Sequence, residues 1–296
     1  MVWLKTRNQT NDHNLIDTIR GVNKQVRSDR DIAEVTNADL IKSFTSTGFT
    51  LGTGGDANAS GNTYVAWAWK AGNTWQSNID GEQGSTVNAN TANGFSVVKW
   101  TGNGSSAKTL GHSLGAVPEM IMVKKLGATQ DWWVYNKYVD ATQPARYWLS
   151  LNESDGRGDN GASGGSLFNS TSPTSTVFST GTTLQESSDY IAYCWTPKSG
   201  YSKFGNINGN GSTQSITGLG FQPDFIMIKG TTVAESWNIY DSVRGATKLL
   251  RPNTSEAESI YTDSVTSFDS DGFTLGANTY VNQDTKSYIY MAFKMN

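Results

Sequence analysis

The chain has 296 residues, and its 23 basic and 26 acidic residues leave a net charge of -3, which argues against a basic nucleic-acid surface. One cysteine, Cys194, and two histidines, His13 and His112, exclude a disulfide framework and Cys-rich metal sites. Only 17% of the residues are charged, while glycine reaches 31 residues, a composition typical of β-rich, turn-rich proteins. No apolar run approaches the roughly 18 residues of a membrane span. We expect a soluble, non-secretory protein of two or three domains that needs no cofactor and no bound metal.

The first segment of the chain, residues 2–70, matches residues 226–294 without a gap. Lys5 aligns with Lys229, and Gly-Phe-Thr-Leu-Gly occurs in both segments. A repeat held over such a length is the signature of tandem structural units, so 1–70 is predicted to be one copy of a β unit. This copy is incomplete, because its Val2–Lys5 lies on the second strand of the unit.

Something outside the first copy is therefore expected to pair beside Val2–Lys5, where a full unit would place the strand equivalent to 201–207. An unpaired edge would leave several backbone groups unsatisfied at roughly 1 to 3 kcal/mol each. The candidates are residues 71–93 folding back, a strand from a neighbouring subunit or another protein, and native sequence ahead of Met1. Residues 71–93 are rich in Gly, Asn, Ser and Thr and are otherwise predicted to be a linker.

The middle and last copies are predicted at 94–199 and 200–296. Each has an apolar strand opened by a proline, Pro118 or Pro223, and both strands end in lysine. Short aromatic and β-branched strands follow, separated by Gly/Asn turns, which favours all-β architecture with tandem antiparallel β-sandwich units of jelly-roll type. The proline strands are expected to be equivalent and central in their sheets. The short connection 197–200 suggests that these two units pack end to end.

Few residues point to catalysis. His112 lies in Gly-His-Ser-Leu-Gly, which is not placed on the strand-to-helix turn of a nucleophile elbow, so we expect a turn residue. Asp17 with Arg20, repeated as Asp241 with Arg244, is expected to be an ion pair that braces a turn. Residues 155–160 lack the spacing of a calcium loop and are expected to be disordered or to face another subunit.

The aromatic residues separate into two groups. Those that recur in the copies, such as Trp67, Trp69, Trp195 and Phe293, are expected in the core. Three do not recur, namely Trp75, Trp133 and Trp148. A tryptophan outside the repeated core can stack on a sugar ring or contact a neighbouring subunit, so these three are the candidate glycan- or interface-binding residues.

Several motifs together carry a family resemblance. They include Gly-His-Ser-Leu-Gly at 111–115, Tyr-Ile-Ala-Tyr-Cys-Trp at 190–195 and Gly-Phe-Gln-Pro-Asp-Phe-Ile-Met-Ile-Lys at 220–229. The chain resembles, over nearly its whole length, a domain of unknown function common in virion proteins of marine tailed bacteriophages, especially tail-fibre and appendage proteins. The resemblance implies a structural virion component, often a homotrimer with host-surface contact, and it transfers no catalytic residue.

The leading hypothesis is thus a non-enzymatic tail-fibre or appendage protein on the exterior of a virion. It would adhere to host-surface polysaccharide and assemble as a homo-oligomer, most simply a trimer, with other virion proteins. One alternative is a decoration or fibre protein of the capsid or neck without receptor binding. Another is a glycan-degrading depolymerase, which would need two carboxylates converging in a groove.

Overall fold

The protein is described by a computed structural model over residues 1–104, 106–161 and 165–295. The predicted all-β architecture is confirmed: the elements are mainly short antiparallel strands, with two α-helices of four residues each. No helix in these described ranges is long and apolar enough to cross a membrane.

The first unit, residues 1–70, contains seven strands and one short helix. They are β1 (Val2–Thr6), β2 (Asn14–Ile16), β3 (Lys24–Arg27), β4 (Val35–Thr36), β5 (Ile41–Phe44), β6 (Phe49–Leu51), α1 (Gly55–Asn58) and β7 (Tyr64–Ala68). The main sheet has the order β4-β3-β2-β1-β7, and β5 pairs with β6 in a separate hairpin. The hairpin packs on the outer face of the sheet through a small apolar cluster that contains Val2, Leu4 and Ile41.

Within the described residues of the middle unit, 71–199, there are ten strands and two 3₁₀ helices. They are β8 (Gln76–Asn78), β9 (Ser85–Asn90), β10 (Phe95–Thr101), β11 (Lys108–Gly111), β12 (Met120–Lys125), β13 (Trp133–Asn136), a 3₁₀ helix at Pro144–Arg146, β14 (Tyr147–Ser150), β15 (Gly158–Asp159), β16 (Val177–Thr180), a 3₁₀ helix at Thr182–Gln185 and β17 (Asp189–Trp195). Eight strands form one sheet in the order β15-β14-β13-β12-β17-β10-β9-β8, and β11 pairs with β16.

The described part of the last unit, residues 200–295, contains nine strands and one short helix. They are β18 (Ser202–Asn208), β19 (Gln214–Thr217), β20 (Phe225–Gly230), β21 (Asn238–Asp241), β22 (Lys248–Leu249), β23 (Ser259–Ile260), β24 (Val265–Asp269), β25 (Gly272–Leu275), α2 (Thr279–Asn282) and β26 (Ser287–Phe293). One sheet has the order β18-β26-β20-β21, and a second has the order β19-β25-β24.

The strands that follow Pro118 and Pro223 are equivalent and internal, as expected. Each pairs with the last strand of its unit in the same register, Met120 opposite Trp195 and Phe225 opposite Phe293. Every residue of β12 and β20 is buried, which agrees with the almost continuous apolar runs of these strands.

The expectation that 71–93 is a linker is wrong. This segment contains β8 and β9, which pair with each other and with β10 in the middle sheet, and Val87 is fully buried. The polar composition of 71–93 suggested a linker, but a strand does not require apolar side chains once a neighbouring strand supplies partners for its backbone hydrogen bonds.

The expected neighbour of Val2–Lys5 is also wrong. In the last unit the first strand, β18, lies beside the last strand, β26, and not beside β20, the strand that follows Pro223. The equivalent β1 is therefore paired on both sides, by β2 and β7, within its own unit. Compared with the last unit, the first unit lacks the strand that would pair with the outer edge of β7. Strands adjacent in sequence need not be adjacent in a sheet, because the chain visits the second sheet through β19 before it returns in β20.

The middle and last units do not pack end to end as expected, because the main sheets of all three units enclose one shared core. Trp3 and Trp69 of the first unit, Trp195 of the middle unit, and Phe225 and Phe293 of the last unit are all buried in it. The opposite face of each sheet packs against its own smaller apolar cluster. One continuous core therefore joins all three units.

Three equivalent backbone hydrogen bonds close the units into a ring. The amide of Glu34 in the first unit donates to Leu126 O in the middle unit at 2.9 Å. The amide of Arg157 in the middle unit donates to Thr231 O in the last unit at 2.8 Å, and the amide of Glu258 in the last unit donates to Arg7 O in the first at 2.7 Å. Each unit contacts the other two in the same cyclic order, which gives one chain an approximate threefold symmetry.

The lysines near the ends of β1, β12 and β20 join neighbouring units in the same cyclic order. Lys5 Nζ donates to Ser255 O of the last unit at 3.2 Å, and Lys124 Nζ donates to Asp31 O of the first unit at 2.9 Å. Lys229 Nζ donates to Ser154 O of the middle unit at 3.2 Å. Burial lowers the pKa of Lys229 to about 7 and the pKa values of the other two to about 8. The recurrent lysines thus link neighbouring units through backbone carbonyls.

One buried carboxyl, that of Asp29, is replaced by an amide in the other two units. Asp29 Oδ1 accepts a hydrogen bond from the His13 amide at 2.9 Å, at a position that the other units fill with Asn152 and Asn253. Burial and the nearby Asp12 raise the pKa of Asp29 to about 7. The asparagines accept the same backbone hydrogen bond without carrying a charge.

We therefore expect Asp29→Asn to stabilise the protein by about 1 to 3 kcal/mol above pH 7. In the folded state Asp29 keeps its proton up to about pH 7, whereas an unfolded Asp loses its proton near pH 4, so wild-type stability falls as pH rises through this window. The gain from Asp29→Asn should be small at pH 4 and full at pH 8, as measured by urea unfolding. The exposed Asp284→Asn is the matched control, and an equal effect of Asp29→Asn at both pH values would contradict the assignment.

Candidate functional site

The three tryptophans singled out in the sequence do not form one site. Trp75 is 65% exposed in the loop before β8, and no ring contact of its side chain occurs within the described residues. Trp133 and Trp148 pack edge to face, with their ring centroids 4.8 Å apart, on adjacent strands of the middle sheet. Both are half-buried against the outer core of the middle unit. The structure thus brings two of the three together and separates the third.

The pair of Trp133 and Trp148 occupies positions that the last unit fills with Asn238 and Leu249. Gly158 lies directly under the Trp148 indole, where a Cβ atom would be 2.1 Å from the ring. The indole N–H of Trp133 has no hydrogen-bond partner among the described residues. The pair is an unrepeated aromatic feature of the middle unit, and most of its surface is already used in packing.

A larger concave feature lies where the middle and last units meet. This groove, which we call the middle–last groove, has a volume of about 550 Å³. That volume lies within the range of sites that bind small molecules and short oligomers. Its lining includes Val117, Tyr135, Lys137, Tyr138, Asp140, Arg157, Ser172, Asn206, Thr231, Thr232 and Ser287.

Glu119 positions the side chains on one wall of the groove. Its Oε1 accepts a hydrogen bond from Lys137 Nζ at 2.6 Å, and its Oε2 accepts one from the Tyr138 hydroxyl at 3.1 Å. Glu119 is buried, whereas the Lys137 side chain is 48% exposed. Burial and the nearby Glu119 carboxylate raise the pKa of Tyr138, so its hydroxyl remains a neutral hydrogen-bond donor.

Arg157 and Asp140 form a second fixed pair in the groove. Arg157 Nη1 donates to Asp140 Oδ2 at 2.9 Å and to Val139 O at 2.7 Å, and the guanidinium lies 4.1 Å from the centroid of the Tyr147 ring. Hydrogen bonds from the amides of Gln143 and Thr142 lower the pKa of Asp140 to about 2. This carboxylate therefore stays ionised and engaged at neutral pH.

The groove suits a neutral polyhydroxyl ligand. Its two cations, Lys137 and Arg157, are each neutralised by a carboxylate, so the groove carries no surplus of either charge. The Asn206 amide and the hydroxyls of Thr232 and Ser287 add donors and acceptors on the last unit's side, and Tyr138 adds an aromatic ring. An ionised, ion-paired Asp140 accepts hydrogen bonds from hydroxyl groups but is a poor proton donor, which favours binding over acid catalysis.

The sequence contained an unused signal for this groove. The turn that reads Asp-x-x-Arg-Gly in the first and last units becomes Asn136 to Asp140 in the middle unit. The middle unit thus has Asp140 where the others have Gly21 and Gly245, and it has Tyr138 where the last unit has Val243. The groove residues are therefore marked in the sequence by their departure from the repeat, whereas the three non-recurring tryptophans do not line the groove.

The remaining candidates have structural surroundings. His112 is fully buried, with Nε2 3.2 Å from Thr174 O, and burial lowers its pKa. Arg20 and Asp17 form the expected ion pair at 2.6 Å, and the Gly21 amide closes the turn on Asp17 O. Residues 155–160 pack against the last unit of the same chain, through Arg157, rather than lying disordered. No group of three or more His, Cys, Asp or Glu residues in the described ranges is arranged to hold a metal ion.

No curated protein and no solved structure matches the chain. The profile of a domain of unknown function, DUF7483, matches residues 1–241 and again residues 207–296, which together span the whole chain. The chain therefore belongs to the DUF7483 family.

Proposed function

We propose that the chain is a structural bacteriophage virion protein of the tail-fibre or appendage type that contributes to adhesion to host-surface glycans. The middle–last groove is the observation on which the adhesive part of the proposal depends. It combines a half-buried tyrosine with paired charges, hydroxyls and an amide, which are the groups that recognise sugar hydroxyls and the apolar face of a sugar ring.

The structural part of the proposal is supported by the way the units are joined. Three β-sandwich units share one aromatic core and are linked by a repeated cycle of hydrogen bonds. Such a body resists local opening without disulfides, as an exposed virion component must. The resemblance of the sequence motifs to those of tail-fibre and appendage proteins favours the same assignment, and a homotrimeric assembly on the virion exterior is part of the proposal.

Glycan binding can be tested with the purified full chain and a panel of neutral and acidic bacterial surface polysaccharides. We expect saturable binding of neutral, hexose-rich polysaccharide with a dissociation constant on the order of 10⁻⁴ M per site. Lys137→Ala should weaken binding about tenfold, since it removes a donor at the groove wall. Isothermal titration calorimetry provides the measurement.

Lys42→Ala is the matched control for Lys137→Ala. Lys42 is 47% exposed and forms an ion pair with Asp39 at 2.8 Å in the first unit, so this variant removes a comparable charge far from the groove. Equal weakening by both variants would show that binding is a general charge effect. Absence of binding to every polysaccharide would contradict adhesion and favour a decoration role. Release of new reducing ends during the incubation would favour a depolymerase.

A further inference from the structure

The first unit has a sheet edge that the other two units cover. The strand β7 is the last strand of its sheet, and its outer edge has no backbone partner among the described residues. The equivalent strands β17 and β26 are paired on this side by β10 and β18. An open edge of this kind is a template for the addition of another strand.

The side chains of β7 are correspondingly exposed. Ala66 and Ala68 are exposed and Val65 is half-buried, whereas every residue after the first is buried in both β17 and β26. At the positions of Val65, Ala66 and Ala68 the last unit has Ile289, Tyr290 and Ala292, none more than 5% exposed. The same strand position is therefore buried wherever its neighbour is present.

A groove lies beside this edge, between the main sheet of the first unit and its β5–β6 hairpin. It has a volume of about 460 Å³, and its lining includes Met1, Val2, Phe44, Phe49, Ala68 and Trp69. Phe49 and Leu51 on the hairpin are half-buried, while the equivalent Phe273 and Leu275 in the last unit are fully buried. The outer cluster of the first unit is thus open on this side.

The last unit shows what covers the equivalent surface. There β18 pairs with β26, β19 pairs with β25, and Leu219 and Phe221 in the following loop join the outer core. The loop is also bonded to the hairpin, because Gln222 Nε2 donates to Phe268 O at 2.8 Å. Residues 202–223 of the last unit therefore fill the place that is open in the first unit.

We propose that the β7 edge and its adjoining groove bind a strand–turn–strand segment of another polypeptide, patterned like residues 202–223. Its first strand pairs with β7, an apolar side chain like that of Ile207 packs opposite Tyr64, and two apolar side chains like those of Leu219 and Phe221 fill the groove. A second copy of this chain does not offer such a segment, since its own residues 202–208 and 214–217 are already paired with β26 and β25.

The test uses a fluorescein-labelled synthetic peptide with the sequence of residues 201–223 and the unlabelled full chain. We expect a saturable rise in anisotropy with one peptide per chain and a dissociation constant of about 10 μM. Hydrogen exchange of the amides in β7 should slow when the peptide is bound, because their free edge becomes paired. The same peptide carrying Leu219→Asp and Phe221→Asp should bind at least about tenfold more weakly.

Ala68→Arg is the informative protein variant, since Ala68 is exposed and lines the groove. It should weaken peptide binding at least about tenfold while leaving the circular dichroism spectrum unchanged. Ile79→Arg is the control, because Ile79 is 81% exposed in another unit and the same cationic side chain is introduced.

Three results would overturn the proposal. The first is the absence of saturable binding up to about 200 μM, because a strand-addition site of this size should bind in the micromolar range. The second is peptide binding that Ala68→Arg leaves unaffected, because the peptide would then bind elsewhere. The third is a dimer of the full chain in light scattering that Ala68→Arg dissociates, since a second copy would then be the occupant.

Discussion

Replacement of Trp69 by alanine is expected to lower the free energy of unfolding by about 3 to 5 kcal/mol. Trp69 is 2% exposed and lies where the three units meet. Its ring packs edge to face on Trp195 of the middle unit at 6.1 Å, and on Phe225 and Phe293 of the last unit at 5.4 and 5.6 Å. The alanine variant leaves a cavity bounded by all three units, and a rigid aromatic cage cannot collapse to fill it.

Because the core is continuous, Trp69→Ala should destabilise all three units together. Guanidinium unfolding followed by tryptophan fluorescence and by far-ultraviolet circular dichroism should show both midpoints shifted to lower denaturant together. A shift confined to one probe would indicate that the first unit unfolds separately and would contradict the shared core.

Two variants serve as controls for Trp69→Ala. Trp69→Phe introduces the residue that the last unit carries at the equivalent Phe293, and it should cost less than about 1.5 kcal/mol. Trp75→Ala removes the same side chain from a position that is 65% exposed, and it should change stability by less than about 0.5 kcal/mol. A cost of Trp69→Ala no larger than that of Trp75→Ala would refute the central role of this ring.

Replacement of Arg20 by valine is expected to cost about 3 to 5 kcal/mol, because it leaves the buried carboxylate of Asp17 without its counter-charge. The side chains of Arg20 and Asp17 are 1% and 0% exposed. Arg20 Nη2 also donates to Leu15 O at 2.9 Å, and the Tyr193 hydroxyl of the middle unit donates to Asp17 Oδ2 at 2.8 Å. Burial raises the pKa of Tyr193, so its hydroxyl remains protonated and able to donate.

The other two junctions between units show which substitutions should compensate for the loss of Arg20. At the junction of the last and first units, Asp241 and Arg244 form the same pair, and Asp241 accepts from the Trp67 indole N–H at 3.1 Å. At the junction of the middle and last units, the equivalent residues are the buried Asn136 and Val139. The place of the donors Tyr193 and Trp67 is taken there by Met291, which lies with Val139 in the shared core. The fold thus accommodates an uncharged version of this junction.

The combined variant Asp17→Asn, Arg20→Val and Tyr193→Met should recover at least about half of the loss caused by Arg20→Val alone, because it removes the unpaired charge and restores apolar packing. Urea unfolding of the single, double and triple variants measures this recovery. Additive losses in the triple variant would mean that the ion pair itself stabilises the junction and that its partners are not interchangeable with the apolar set.

The amino-acid sequence by itself determined the strand chemistry and the number of copies. The gapless match of 2–70 to 226–294, the proline-opened apolar strands and the Asp17–Arg20 turn all correspond to observed elements. These features are local, since they depend on which residues alternate along a strand, where proline and glycine occur, and which charges lie three residues apart. Local patterns of this kind survive in any arrangement of the units.

Only the tertiary structure determined which strands and which units lie next to each other. Whether β18 lies beside β20 or β26, whether β8 and β9 join a sheet, and whether three units form a row or a ring depend on contacts between residues far apart in the chain. In the sequence, Lys229 resembles the exposed polar end of a strand. Its hydrogen bond to Ser154 O exists only because the middle and last units pack against each other. The middle–last groove has the same origin, because its walls come from two units whose proximity no local pattern encodes.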